Sequence, residues 1–186
     1  MSYYLSQSLT FDSDKITYQD FNGDIREVMM DWEDPIMSAS AAYACEGGGD
    51  ILEIGFGMGI SANYIQQHTI NTHTIIENHP DVITKAQAWA ADKSNVTIVE
   101  GSWYDVKDTL STYDGLFYDT WGDLNNTDIW GLIPSFMKAG GRATWWGSHE
   151  ELSMGFDNVT FDIHNVNPPT NQYFNYSQYY LPKKQF

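Results

Sequence analysis

Between residues 50 and 146 the chain alternates short apolar runs with longer mixed segments, at a spacing that suits strands joined by helices. Runs at 51–54, 74–77, 96–99, 115–119 and 142–146 predict five strands. The intervening segments 60–68, 80–91, 103–110 and 129–138 have the length and mixed polarity of helices. Strands separated by helix-length crossovers imply a mostly parallel sheet flanked by helices, hence an α/β architecture. The pattern then changes. Segments 159–163 and 172–180 read as strands with only an Asn-Pro-Pro turn at 167–169 between them, which predicts a C-terminal antiparallel hairpin.

Ahead of this core, residues 1–28 show no strong periodicity and read as an N-terminal arm. Asp34-Pro35 predicts a helix start, with Asp as cap and Pro in the first turn, and Gly47-Gly48-Gly49 predicts its stop. The 186 residues suit one domain: the arm, a cofactor-binding core over 50–147, and C-terminal strands over 157–186.

Composition narrows the class of partner. Nine Lys and Arg against twenty-five Asp and Glu give a formal charge of −16, which disfavours nucleic acid and anionic membrane and suits a cationic substrate or plain solubility. The single cysteine, Cys45, cannot form an intramolecular disulfide and reads as a small apolar helix residue. With neither a secretion signal nor a membrane-length apolar run, a soluble, cytoplasmic protein is expected, as monomer or homodimer. No metal site is expected.

The candidate chemistry begins at Asp50-Ile-Leu-Glu-Ile-Gly-Phe-Gly-Met-Gly-Ile60. A strand runs into a turn with glycines at 55, 57 and 59, and a helix follows. Glycines there let a nucleotide-like ligand approach the backbone. The G-x-G-x-G spacing, Ile60 in place of a third small residue, and Glu53 two positions ahead favour S-adenosylmethionine over NAD, although another nucleotide or a structural turn also fits. Glu77, at the end of the second strand, suits the ribose hydroxyls, and Trp103 in Gly101-Ser102-Trp103 offers a face to the adenine or to the core. Asp119 ends the fourth strand, where it either caps a turn or faces the reacting group. Asp31, Glu33 and Asp34 surround Trp32 near Met29, Met30 and Met37, which suits helix capping or a pocket for two cations.

Together, Trp32-Glu33-x-Pro35-x-Met37, Leu52-Glu-Ile-Gly-Phe-Gly-Met58, Ile75-Ile-Glu77, Trp103 and Tyr118-Asp-Thr120 resemble guanidinoacetate N-methyltransferase and the arginine δ-N-methyltransferases. The likeness runs from about Met29 to Gly141, with a weaker echo over 172–182. It implies a Rossmann-like class I methyltransferase fold that uses S-adenosylmethionine and releases S-adenosylhomocysteine. It also implies that Glu33 and Asp119 bind the guanidino group, and that Met29, Met37, Phe56, Gly57, Met58, Gly59, Ile60, Ser61, Glu77 and Trp103 hold the cofactor. Glu53, Gly55 and Asp119 join the expected cofactor set.

The chain departs from that family in a shorter arm and a shorter 147–157 region. In guanidinoacetate enzymes, backbone amides of that region hold the substrate carboxylate, a role open here to Gly147 and Ser148. The expected function is methylation of the guanidino group of a small, guanidinoacetate-like molecule, with Asp119 accepting the proton and Glu33 orienting. Methylation of arginine, free or in a protein, and a non-catalytic cofactor-binding module are the alternatives.

Overall fold

A computed structural model describes residues 3–122 and 128–186. Its centre is a seven-stranded sheet made of β4 (Asp50–Ile54), β5 (Thr72–Glu77), β6 (Val96–Glu100), β7 (Tyr113–Tyr118), β8 (Met137–Trp145), β9 (Thr160–Asn165) and β10 (Gln178–Gln185). The spatial order is β6-β5-β4-β7-β8-β10-β9. The first five pair in parallel, and β10 runs antiparallel to both β8 and β9. Strand order reverses between β4 and β7, which opens a crevice at their carboxyl ends.

The central strands carry apolar side chains on both faces because helices cover both. On one face Leu52, Leu116, Trp145, Trp103 and Ile133 form the larger cluster; on the other Ile36 and Met37 pack with Phe117 and Tyr179. The crossover helices are α2 (Ile60–Ile65), α3 (Pro80–Ala90), α4 (Trp103–Val106) and α5 (Ile129–Phe136), while α1 (Asp34–Ala44) precedes β4. Cys45 follows α1, buried, its thiol pushed up to about 12 by burial and then by Glu53. At the amino ends of the strands Lys138 bridges Asp50 (2.8 Å) and Asp114 (2.7 Å), far from the crevice. No helix of the described residues is long and apolar enough to cross a membrane.

Three expectations change. The expected N-terminal arm carries strands where no periodicity marked them: β1 (Thr10–Phe11), β2 (Lys15–Gln19) and β3 (Ile25–Met30) form a three-stranded antiparallel sheet. The C-terminal hairpin forms, but its second strand begins at Gln178 rather than 172. Asn171 holds residues 169–174 in a turn by accepting from the amides of Tyr173 (2.9 Å) and Phe174 (2.7 Å) and donating to the carbonyls of Pro169 and Phe174. The expected helix over 129–138 stops at Phe136, because Met137 and Lys138 already belong to β8.

Gly55 is the tightest point of the architecture. Its φ is +97°, and a Cβ there would sit 1.7 Å from the carbonyl oxygen of Asp119. Its amide also donates to Ile76 O (2.9 Å), while the Asp119 amide donates to Ile54 O (2.9 Å). The ends of β4, β5 and β7 are therefore drawn together through one residue that has room for no side chain. Gly55→Ala is expected to cost about 3 kcal/mol or more in chemical denaturation, at the upper end of single-substitution effects. Gly140→Ala, with φ +81° but nothing within 4 Å of the added methyl, serves as a control. Its expected cost is the backbone strain alone, about 1–2 kcal/mol.

Candidate functional site

A cleft of roughly 230 Å³ opens at the carboxyl ends of β4, β5, β6 and β7. Of the residues expected from sequence, Met29, Glu33, Gly55, Phe56, Gly57, Ser61, Glu77, Trp103 and Asp119 line it. The floor is the glycine turn. Gly57 has φ +54°, and a Cβ there would meet the Met29 sulfur at 2.5 Å, so the turn lies flat beneath Met29. The same sulfur accepts from the Met58 amide (3.2 Å). The bare Gly57 backbone is the kind of cradle a nucleotide-linked ligand needs.

Glu77 is fixed before any ligand arrives. One carboxylate oxygen accepts from the Phe56 amide (2.9 Å), and the other from the amides of Asn78 and His79 (2.8 Å each) at the start of α3. A carboxylate held by three backbone donors keeps further lone pairs for two adjacent hydroxyls. His79 in turn pins the N-terminal segment. Its Nδ1 accepts from the Asp81 amide (3.2 Å), so Nε2–H faces the carbonyls of Tyr4 (3.3 Å) and Gln7 (3.1 Å). That pinning places Tyr4 in the cleft wall.

Across the cleft stand the two other carboxylates. Glu33 belongs to the turn Asp31–Glu33 that leads into α1 and is 3% exposed. Glu33, not Asp34, occupies the cap position of α1, and its side chain reaches back to accept from the Met30 amide (2.9 Å) instead of capping the helix. The Tyr173 hydroxyl donates to the same oxygen, Oε1, at 2.5 Å. Asp119 follows β7 immediately, and among the described residues no side chain hydrogen-bonds its carboxylate.

The electrostatics follow from burial without counter-ions. Among the described residues no Lys or Arg lines the cleft. Desolvation raises the Glu33 carboxyl, with Asp119 adding to it, and the Tyr173 and Met30 bonds oppose the rise; the net position is about 8. Burial also raises Asp119, with smaller pushes from Glu53 and Glu77, to about 7. Two carboxyls held well above their ordinary range in one cleft form a site made for cations.

Several expected residues stand elsewhere. Glu53 is fully buried outside the cleft, where it accepts from the Ser61 hydroxyl and pairs with His73 Nε2 (2.9 Å). It braces the glycine turn from behind because its side chain points into the sheet–helix interface. Met37 is core, 0% exposed beside Ile36 and Phe117, and Met58, Gly59 and Ile60 lie off the cleft wall. The Trp103 ring is 1% exposed within the main cluster, so it contributes an edge of the wall rather than an open stacking face. The Gly147 amide is already spent, donating to the Tyr179 hydroxyl (2.5 Å), and the Ser148 hydroxyl pairs with His149 (3.2 Å).

Sequence reasoning missed Tyr4, Asn78, Trp121, Trp146 and Tyr173 as lining residues. Trp121 and Trp146 follow the ends of β7 and β8, so the carboxyl-end rule could have found both. Tyr173 carries no such signal. Around Glu33 these rings make a wall: Trp32 stacks on Tyr173 at 6.2 Å and on Phe174 at 5.5 Å, while Trp121 and Trp146 meet Tyr173 edge-on.

Known proteins resemble this chain at the level of family and of fold. The family described as guanidinoacetate N-methyltransferase matches residues 12–141. "Protein arginine N-methyltransferase 2" of Aspergillus fumigatus is 40% identical over 129 residues, 66% of this chain and 29% of that protein. Its namesake in Kluyveromyces lactis is 30% identical over 224 aligned positions, which cover 98% of this chain and 53% of that protein. The chain thus spans about half or less of these relatives. The precorrin-6y C5,15-methyltransferase of Geobacter metallireducens has the same fold, with a TM-score of 0.63 over 82% of this chain and 87% of its own at 15% identity.

The raised carboxyls make the empty protein pH-sensitive. An unfolded chain ionises both groups near their ordinary values, whereas the folded chain holds their protons up to about 7 and 8. Across that window the folded state keeps protons the unfolded state has lost, so folding weakens as pH rises. Thermal melting of the ligand-free protein is expected at lower temperature near pH 8 than near pH 5, with a flatter profile for Glu33→Gln. A parent profile that rises over the same window would contradict the assignment.

Proposed function

The chain belongs to the guanidinoacetate N-methyltransferase family, and on that premise we propose that it methylates the guanidino group of an arginine side chain. S-adenosylmethionine supplies the electrophilic methyl group on a positively charged sulfur. The glycine turn and Glu77 fit the nucleoside half of that molecule, and Glu33 with Asp119 fit a guanidinium beside the methyl.

One observation carries the proposal: Glu33 and Asp119 share a cleft to which the described residues contribute no basic side chain. A guanidinium is a poor nucleophile because its pKa lies above ~12 and its lone pairs are delocalised. Two carboxylates hold its planar fork and draw positive charge toward the nitrogens they bind. Asp119, whose carboxylate takes no side-chain bond among the described residues, is our candidate to take the proton from the attacking nitrogen. Transfer of the methyl group to that nitrogen would break its C–S bond, sulfur keeping the electron pair, and would release S-adenosylhomocysteine. The cationic pair would also offset the burial of two anions.

Arginine is favoured over guanidinoacetate by the cleft's charge. A carboxylate one carbon from the guanidino group would lie among Glu33, Asp119 and Glu77 with no basic side chain of the described residues to meet it. Residues 123–127, Asp-Leu-Asn-Asn-Thr, supply none either. The Gly147 amide, which could have met it, is committed to Tyr179. The rings of Trp121, Trp146 and Tyr173 suit the methylene stem of a longer side chain instead. The relatives' name, protein arginine N-methyltransferase 2, supports the same direction.

The test is methyl transfer to an arginine-containing peptide, free arginine, agmatine and guanidinoacetate, read by mass spectrometry. The peptide is expected to react with kcat/KM at least about tenfold above guanidinoacetate, the cost of one unpaired buried charge being the lower bound. Equal or reversed preference would refute arginine as the substrate. Asp119→Asn is expected to lower kcat by about 10² or more while calorimetry still detects cofactor binding. Parent-like turnover in that variant would remove Asp119 from the proton path.

A further inference from the structure

We propose that Tyr173 is a positioning residue of the guanidinium site, clamping Oε1 of Glu33 so that Oε2 is the oxygen presented to the ligand. The inference rests on the reading of Glu33 as a guanidinium ligand and extends it to a residue 140 positions away in sequence.

Both hydrogen bonds to Glu33 fall on one oxygen. The Met30 amide donates to Oε1 at 2.9 Å, and the Tyr173 hydroxyl donates to the same atom at 2.5 Å. The Tyr173 oxygen itself accepts from the Trp32 indole N–H (3.2 Å). A hydroxyl that accepts one bond is polarised to donate the next more strongly, so Trp32, Tyr173 and Glu33 form a directed chain. Two donors converging on Oε1 remove the carboxylate's freedom to rotate, and a planar guanidinium needs its partner oxygen fixed in plane.

Tyr173 is itself held from three sides. Asn171 captures its backbone amide (2.9 Å), Trp32 stacks on its ring, and Trp121 and Trp146 close on its edges. Next to it, Gln172 donates to the Ile25 carbonyl (2.8 Å) and accepts from Arg26 (2.6 Å), tying this stretch to β3. Such rigidity is more than a surface tyrosine requires.

The clamp also acts on charge. Of the titratable groups near Glu33, Asp119 across the cleft raises its pKa, and Tyr179 from β10, whose own hydroxyl Glu33 raises, gives it no bond. Asp31 and Asp34, its neighbours in sequence, are exposed, and Asp34 is engaged by the Tyr64 hydroxyl (2.9 Å). Only Tyr173 and the Met30 amide oppose burial and Asp119. Without the phenol, Glu33 should hold its proton to higher pH and bind a guanidinium less well at neutrality.

The experiment uses the full chain with Tyr173→Phe and Trp32→Phe. With S-adenosylhomocysteine present, carbon NMR of labelled glutamate follows the Glu33 carboxyl through its titration. Tyr173→Phe is expected to move its midpoint upward by about one pH unit, the scale of one charge-assisted hydrogen bond, with a smaller shift in the same direction for Trp32→Phe. In turnover, KM for the guanidino substrate should rise about tenfold and the acid limb of kcat/KM should move with the NMR midpoint, while cofactor affinity stays unchanged. An unmoved midpoint in a folded Tyr173→Phe protein overturns the clamp, whatever the activity. A parent protein that turns over no guanidino compound, beside a shifted midpoint, instead overturns the proposed substrate and leaves the clamp standing.

Discussion

Everything in this molecule turns on two carboxyl groups kept from water with no positive partner among the described residues. An isolated buried anion is costly, and two sharing a cleft are worse, so the empty protein answers by holding protons. The charges that would release those protons, a guanidinium and a sulfonium, are the ones the proposed reaction brings together. Stability and chemistry therefore pull in opposite directions at Glu33 and Asp119. The close approach of Gly55 to the Asp119 carbonyl shows how much local geometry is committed to keeping Asp119 where it stands.

Binding and reaction divide the site cleanly. In the half proposed for the nucleoside, three backbone amides hold Glu77 and the Met29 sulfur holds the glycine turn, so both are fixed without a ligand. The half proposed for the guanidinium depends on side chains from distant segments: a turn before α1, the end of β7, and the connection from β9 to β10. Glu53 belongs to neither half. Its bonds to Ser61 and His73 lock α2 against β4 and β5, and the acidic position ahead of the glycines acts here as a brace.

The parallel core was legible because each buried strand is an apolar run long enough to stand out, and each crossover is helix-length. The N-terminal sheet was not, for a physical reason. Between Ile16 and Thr17 the pairing register shifts, so two consecutive residues are buried and the period-two alternation that marks a strand is broken. At the other end Tyr173 looks like a strand aromatic, but the Asn171 turn removes it from the sheet. Its bond to Glu33 joins residues that no local pattern relates. The boundary between α5 and β8 failed similarly: residues 138–141 bulge from the ladder between the pairs Tyr113–Met137 and Gly115–Arg142, which disguises the strand's start. Glu33, Glu77 and Asp119 were readable since each sits at a strand end or helix entry. Tyr4 and Tyr173 were not, since tertiary packing alone brings them there.

The latch between Gln172 and β3 has a consequence for how the protein is made. Synthesis proceeds from the amino terminus, and the residues proposed for the nucleoside half from Gly55 to Trp103 precede Tyr173 by at least 70 positions. Glu33 by then exists but has no phenol to hold it, and remains so until residue 173 is translated and Gln172 meets Ile25 and Arg26. A nascent or clipped chain ending before that point would carry a nucleotide cradle without a finished acceptor pocket. On the proposed reading, the stretch around Tyr173 thus decides when a nucleotide cradle gains its acceptor pocket.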